Sequence, residues 1–146
     1  MGKEIEHKYL VKDTTYKEMA RTSHHIVQGY LQRDPLRTVR VRIRDERGFI
    51  TVKGLTRGDT RLEFEYEIPL ADAREMIGMC EGKVIDKTRW IVDFGGYIWE
   101  VDEFHGDREG LTVAEIELRD SSHAYPLPPF AGKEVTGDPA YYNSNL

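Results

Sequence analysis

Six stretches of this chain put ionised residues at alternate positions with apolar residues between them, a pattern that commits each to a strand with one charged and one apolar face. Glu4, Glu6 and Lys8 oppose Ile5, His7 and Tyr9, and Arg40, Arg42 and Arg44 oppose Val39, Val41 and Ile43. Arg61, Glu63, Glu65 and Glu67 face away from Leu62, Phe64, Tyr66 and Ile68; Lys87 and Arg89 face away from Thr88 and Trp90. Glu100 and Asp102 oppose Trp99 and Val101, and Glu115 and Glu117 oppose Ala114, Ile116 and Leu118. A seventh run sets Thr51 and Lys53 against Ile50 and Val52. A solvated face on an antiparallel sheet explains any one of these strands. It does not explain the segregation of sign, with acids paired at i, i+2 on four strands and bases on two others.

A sheet that closes with its apolar face turned outward against helices puts all of these charges in an interior. Uncompensated charge there costs several kcal/mol per ion. A bound polyanion held by the bases, with a divalent cation held by the acids, answers both signs together. Oxygen ligands without a cysteine or histidine cluster favour Mg²⁺ or Mn²⁺ over zinc.

Hairpin connections dominate the rest of the reading. Strands are expected at residues 3–11, 26–32, 38–45, 49–53, 60–68, 84–94, 97–104 and 111–119. Arg33-Asp34-Pro35 and Gly95-Gly96 supply turns, and Glu46-Arg47-Gly48 reads as a hairpin with Gly48 free to take positive φ. Asp13-Thr14-Thr15 offers helix caps ahead of Tyr16, Met19 and Ala20, so a short helix ending near Ser23 is expected. A second helix is expected over residues 71–81, where Ala73, Met76, Ile77 and Cys80 form an apolar stripe and Gly82 a stop. The proline-rich run 125–130 is irregular, and Gly137-Asp138-Pro139 is expected to open a short terminal helix. The 146 residues fit one domain, residues 1–146, of α+β class: predominantly antiparallel β with two or three helices.

A net charge of −5 argues against bulk attraction to nucleic acid or anionic membrane, so any anion site is local. One cysteine, Cys80, builds neither a disulfide framework nor a thiolate metal site. No signal-peptide core and no run of about 18 apolar residues occurs, which makes a cytoplasmic protein the default.

The ordered series Glu4-x-Glu6-x-Lys8, Arg40-x-Arg42, Thr51-x-Lys53-Gly54, Glu63-x-Glu65, Lys87-x-Arg89, Glu100-x-Asp102, Glu115-x-Glu117 and Glu134-Val135-Thr136-Gly137-Asp138 resembles the CYTH superfamily, the triphosphate tunnel metalloenzymes, in a short bacterial form. The resemblance runs the length of the chain. It implies a closed eight-stranded antiparallel β-barrel tunnel that binds a triphosphate compound and divalent metal. On matching positions, Lys8, Arg40, Arg42, Lys53, Lys87 and Arg89 are implied to hold phosphate oxygens, the arginines suiting bidentate contact. Glu4, Glu6, Glu63, Glu65, Asp102, Glu115 and Glu117 form the implied metal and water-positioning set.

Lys87 and Lys8 are the candidates for general base, since a lysine amid arginines is pushed towards the neutral amine. Lys87 is preferred because it stands beside Arg89 whereas Lys8 has two carboxylates near it. Parity puts Trp90 and Trp99 on the outer face, and no ring is placed clearly to stack on a base; Tyr30, Phe104, Tyr141 and Tyr142 fit packing or plugging. The expected reaction is therefore hydrolysis of inorganic triphosphate to diphosphate and phosphate. Thiamine triphosphate or nucleoside triphosphate hydrolysis, class IV adenylate cyclisation and non-catalytic polyphosphate binding are the competing readings. His7 is expected on the outer face, His24 and His25 at the end of a helix, and Asp59, Asp107 and Glu109 in solvated loops.

Overall fold

Because a strand's side chains repeat every two residues, a one-residue slip in pairing would put an arginine where a valine belongs, and the alternation therefore specifies register. The computed structural model describes residues 2–146. Its elements in chain order are β1 (Gly2–Val11), α1 (Tyr16–Met19), β2 (Ala20–Gln32), β3 (Arg37–Arg44), β4 (Arg47–Gly54), β5 (Thr60–Ile68), α2 (Leu70–Gly78), β6 (Glu81–Phe94), β7 (Tyr97–Phe104), β8 (Thr112–Glu117) and β9 (Ala131–Glu134). Neighbours run β5-β4-β3-β2-β6-β7-β8-β1, and β1 returns to β5, giving a closed eight-stranded antiparallel barrel. Strand β1 shares one edge between two partners: Gly2 to Ile5 pair with β5, while Tyr9 and Val11 pair with β9, which continues the wall.

Charged residues do face inward. Glu4, Lys8, Arg40, Arg42, Lys53, Lys87, Arg89 and Asp102 are all buried, beside Gln28 and Thr51. Outside, Ile5, Tyr9, Val92, Trp99, Val101, Ala114 and Ile116 pack beneath Tyr16 of α1 and Phe130 of the proline-rich run. Helix α2 covers β3 and β4. Gly48 permits this, since a Cβ there would stand 2.6 Å from the Ala73 Cβ of α2; just past the helix, a Cβ on Gly29 of β2 would stand 2.7 Å from Cys80 Sγ. The cover is partial, for Leu62, Phe64 and Tyr66 on the outer face of β5 remain exposed. One end of the interior is apolar: Tyr30, Ile85, Phe104 and Val113 pack with Leu10, Leu111 and Leu146 and form a floor.

Four local expectations change. Only Tyr16–Met19 is helical, and the chain enters β2 at Ala20, because residues 20–25 find backbone partners along β6 from Val92 to Thr88. His24 and His25 consequently lie on a strand, paired with Asp45 and Asp86 on the surface. The β3–β4 hairpin turns at Asp45-Glu46, where Asp45 takes φ 53°, and Gly48 serves helix packing instead. Helix α2 stops at Gly78, so Gly82 is a positive-φ residue inside β6. Strand β9 was not expected, since its four residues carry no alternation. The chain then ends in 3₁₀ turns at Pro139–Tyr141 and Asn143–Asn145.

Candidate active site

Inward residues of all eight barrel strands, Tyr30 of β2 among them, surround a cavity of about 180 Å³, closed further by Thr56, Gly58 and Asp59 of the β4–β5 loop and by Thr136, Gly137, Tyr142 and Asn143. Of the expected set, Glu4, Glu6, Lys8, Arg40, Arg42, Lys53, Glu63, Glu65, Arg89, Glu115 and Glu117 line it directly. Lys87 and Asp102 lie just behind the lining, almost wholly buried.

Bases on one side are only partly matched by acids. Arg89 grips Asp102 through two bonds, Nε to Oδ1 at 2.7 Å and Nη2 to Oδ2 at 2.8 Å. Lys87 Nζ donates to the same carboxylate at 2.7 Å. Burial opposes the Asp102 charge, but Arg89 and Lys87 hold its carboxyl far below the usual range. Arg40 Nη2 donates to Thr51 and Glu65 at 3.1 and 3.2 Å, while its Nε is buried without a partner. Arg42 has no ion pair among the described residues; its Nε donates to Gln28 Oε1 at 2.8 Å. Burial and the neighbouring Arg40 and Arg89 lower Arg42 to about 9. An orphaned guanidinium N–H beside an unpaired arginine is the arrangement that an anion completes.

Acids on the other side divide in two. Glu4 accepts from Lys53 Nζ at 3.1 Å; burial pushes its carboxyl up, but Lys53 and Arg61 pull it lower overall. Lys53 also reaches Glu63 at 3.2 Å, and Lys8 reaches Glu115 at 3.3 Å. Glu6 and Glu117, directly opposite each other across β1 and β8, form no ion pair among the described residues. Burial together with Glu115 and Glu4 pushes Glu6 well above the usual range. Burial, then Glu4, Glu63 and Glu100, pushes Glu117 up to about 7. Glu65 and Asp102, by contrast, are engaged by Arg40 and Arg89. No three of the described acids, histidines or cysteines stand together at ligand spacing, so the carboxylates would have to draw closer to share a cation.

The donor set nevertheless fits a hard divalent ion: it is all oxygen, from Glu4, Glu6, Glu63, Glu115 and Glu117, and two of its members, Glu6 and Glu117, form no ion pair among the described residues. A stability consequence follows with a definite sign. An unfolded glutamate releases its proton near 4.5, whereas native Glu117 holds its own to about 7, so native protein binds more protons in that window and loses stability as pH rises through it. A cation that replaces those protons should therefore raise the melting temperature more at about pH 8 than at about pH 5. Glu6→Gln removes one repelling charge. Without metal it should melt no lower than the parent at about pH 8, and its gain on adding Mn²⁺ should shrink. A variant with the full Mn²⁺ gain removes Glu6 from the metal set.

Several contributors were legible but unused, and others were not legible. Arg44, Arg61 and Glu100 share the inward parity and line the cavity. Gln28 and Thr51 carry the same parity without charge. Asp59, expected in a solvated loop, is half-buried at the cavity rim, 2.9 Å from His7 Nε2. His7 sits on the outer face as expected, its Nδ1 2.6 Å from the Tyr125 hydroxyl. Tyr142 and Asn143 had no periodic signal.

Comparison with known proteins agrees with this architecture. The CYTH domain family model matches residues 2–142. The inorganic triphosphatase of Acetivibrio thermocellus is 49% identical over 147 residues, covering 100% of this chain and 94% of the relative. That of Nitrosomonas europaea is 32% identical over 148 residues, covering 98% and 95%. The crystal structure of the inorganic triphosphatase NE1496 superimposes with a TM-score of 0.67 at 29% identity, covering 97% of this chain and 92% of that one. With the closed barrel, the inward charges and a family match over nearly every residue, the chain belongs to the CYTH domain family.

Proposed function

We propose that this chain is a triphosphatase that cleaves inorganic triphosphate (tripolyphosphate) to diphosphate and phosphate with Mg²⁺ or Mn²⁺. The observation that carries the reading is one cavity holding both Arg40, whose buried Nε has no partner, beside Arg42, which has no ion pair among the described residues, and the mutually repelling acids Glu6 and Glu117. A polyphosphate alone relieves the first pair and a cation alone relieves the second; a metal-bound triphosphate relieves both. The relatives named inorganic triphosphatase support the same substrate.

Roles follow from the contacts. Lys8, Arg40, Arg42, Lys53 and Arg89 bind phosphate oxygens and spread the charge of the transferring group. Glu4, Glu6, Glu63, Glu115 and Glu117 would hold the cation, which would supply neutralisation of phosphate charge and activation of a water. Glu65 and Asp102 orient Arg40 and Arg89 rather than the metal. Lys87 accepts the proton of the attacking water: burial, with Arg89 and Arg42 adding to it against the pull of Asp102, lowers its amine to about 7. As the water O–H bond breaks to Lys87, the new P–O bond forms and the bond to the leaving diphosphate breaks.

Among the described residues two rings reach the cavity, Tyr30 and Tyr142, and each is already faced by a cation of the protein. Trp99 is packed in the outer core, Tyr30 and Phe104 form the floor, and Tyr142 lies about 5.9 Å from both Lys8 and Arg61. Phosphate release from tripolyphosphate, ATP and thiamine triphosphate, each with Mg²⁺, Mn²⁺ or EDTA, tests the reading. Release should require metal and be fastest from tripolyphosphate. Binding of tripolyphosphate without metal-dependent release would establish a polyphosphate-binding module instead.

A further inference from the structure

The apolar floor closes one end of the barrel, so a ligand enters from the other. In the β2–β3 pairing Tyr30 of the floor stands opposite Arg40, Gln28 opposite Arg42 and Ile26 opposite Arg44. Arg40, Arg42 and Arg44 therefore climb from the floor to the mouth as a ladder about 13 Å long, at about 3.3 Å per residue. Arg44, the last residue of β3, is half-buried and lines the cavity. Every other base of that lining is engaged by an acid or, for Arg42, by Gln28. The Arg44 side chain has neither an ion pair nor a hydrogen bond among the described residues. Acids beside it are taken: Asp45 contacts His24 at 2.6 Å, and Glu67 accepts from Arg47 at 2.6 and 2.9 Å. What anchors Arg44 is a ring, its Cζ lying 4.9 Å from the centre of buried Phe49, which stays behind the lining. A cation–π contact holds a guanidinium without using its N–H groups.

Inorganic triphosphate carries a free phosphoryl group at both ends, each with up to two charges and three terminal oxygens. An organic triphosphate has such a group at one end only; the phosphate at its other end is an ester with one charge and two free oxygens. With its free end against Arg40 and Arg42, the organic compound presents that ester at the mouth. We propose that Arg44, carried on Phe49, selects inorganic triphosphate by gripping the free phosphoryl group at the mouth with its N–H fork. The proposal rests on inorganic triphosphate as the substrate, and adds the residue that reads its second free end.

Parallel measurement of kcat/KM for tripolyphosphate and for ATP, both with Mg²⁺, tests it on the full chain, with enzyme in excess where release is slow. Arg44→Ala should lower kcat/KM about 10- to 100-fold for tripolyphosphate and no more than about threefold for ATP, so the ratio of the two falls. Arg44→Lys keeps the charge without the fork and should fall between the parent and Arg44→Ala. In EDTA, calorimetry should show tripolyphosphate binding Arg44→Ala more weakly than the parent, a readout free of turnover. An unchanged ratio in Arg44→Ala, whether from no loss or from equal losses on both substrates, overturns the selection. A parent that does not prefer tripolyphosphate to ATP overturns the substrate reading and this role with it; the parent's own ratio tells the two failures apart.

Discussion

Lys87→Ala should lower kcat for tripolyphosphate about 10²- to 10⁴-fold, the range that a positioned general base contributes, with a much smaller change in KM. The pH dependence carries the sign. A base works only when deprotonated, so the rate of the parent enzyme should climb as pH rises through about 7, the value to which burial and the neighbouring arginines lower this amine. Lys87→Ala should lose that limb. The variant should remain folded, because Asp102 keeps its two bonds from Arg89 when the lysine is gone. Steady-state kinetics across pH, with a melting curve as control, make the measurement. A rise in KM with kcat preserved would reassign Lys87 to phosphate contact alone.

Asp102→Asn should be among the most damaging substitutions for stability, at about 3–5 kcal/mol, the cost of removing one partner from a buried ion pair. Asp102 is 2% exposed and is the carboxylate that both Arg89 and Lys87 touch. The substitution leaves those two bases facing Arg42 in the same interior, with only Glu100, 3.4 Å from Arg89 Nη1, still paired to either of them. Tripolyphosphate should supply the missing charge, so it should raise the melting temperature of Asp102→Asn more than that of the parent. A metal ligand behaves in the opposite way: its neutral analogue, measured without metal, keeps its stability and loses only the gain on adding Mn²⁺. The two outcomes separate the counter-ion role from the metal role first expected at this position.

The pairing of Asp102 with Arg89 and Lys87 shows where reading by alternation stops. Parity put Asp102 in the interior together with Glu6 and Glu117, and all three do point inward. It could not separate them, because parity says nothing about which base lies across the barrel. Asp102 stands opposite Arg89 in the β6–β7 register, while Glu6 meets Glu117 across β1 and β8. One acid was therefore neutralised on folding and two were left repelling each other. The short helix expected to end near Ser23 stops at Met19 for a related reason. Its local spacing was helical, but the long β6 offered residues 20–25 a hydrogen-bonding edge that outweighs a weak propensity. Gly48 shows the same limit: glycine after a charged turn suggested positive φ, whereas its use is to admit Ala73 of α2.

By itself the sequence determined the two faces of each strand, the sign of charge on each inward face, and so a charged interior that calls for an anion and a hard cation. Those properties follow from a period of two, which each strand carries locally. Only the tertiary structure decided which charges are already matched and which await a ligand, since that depends on register accumulated around a closed barrel. It alone also brought Asn143 to Lys87, 56 positions away in the chain. A C-terminal segment without periodic pattern has no signal of where it docks until the cavity that receives it exists.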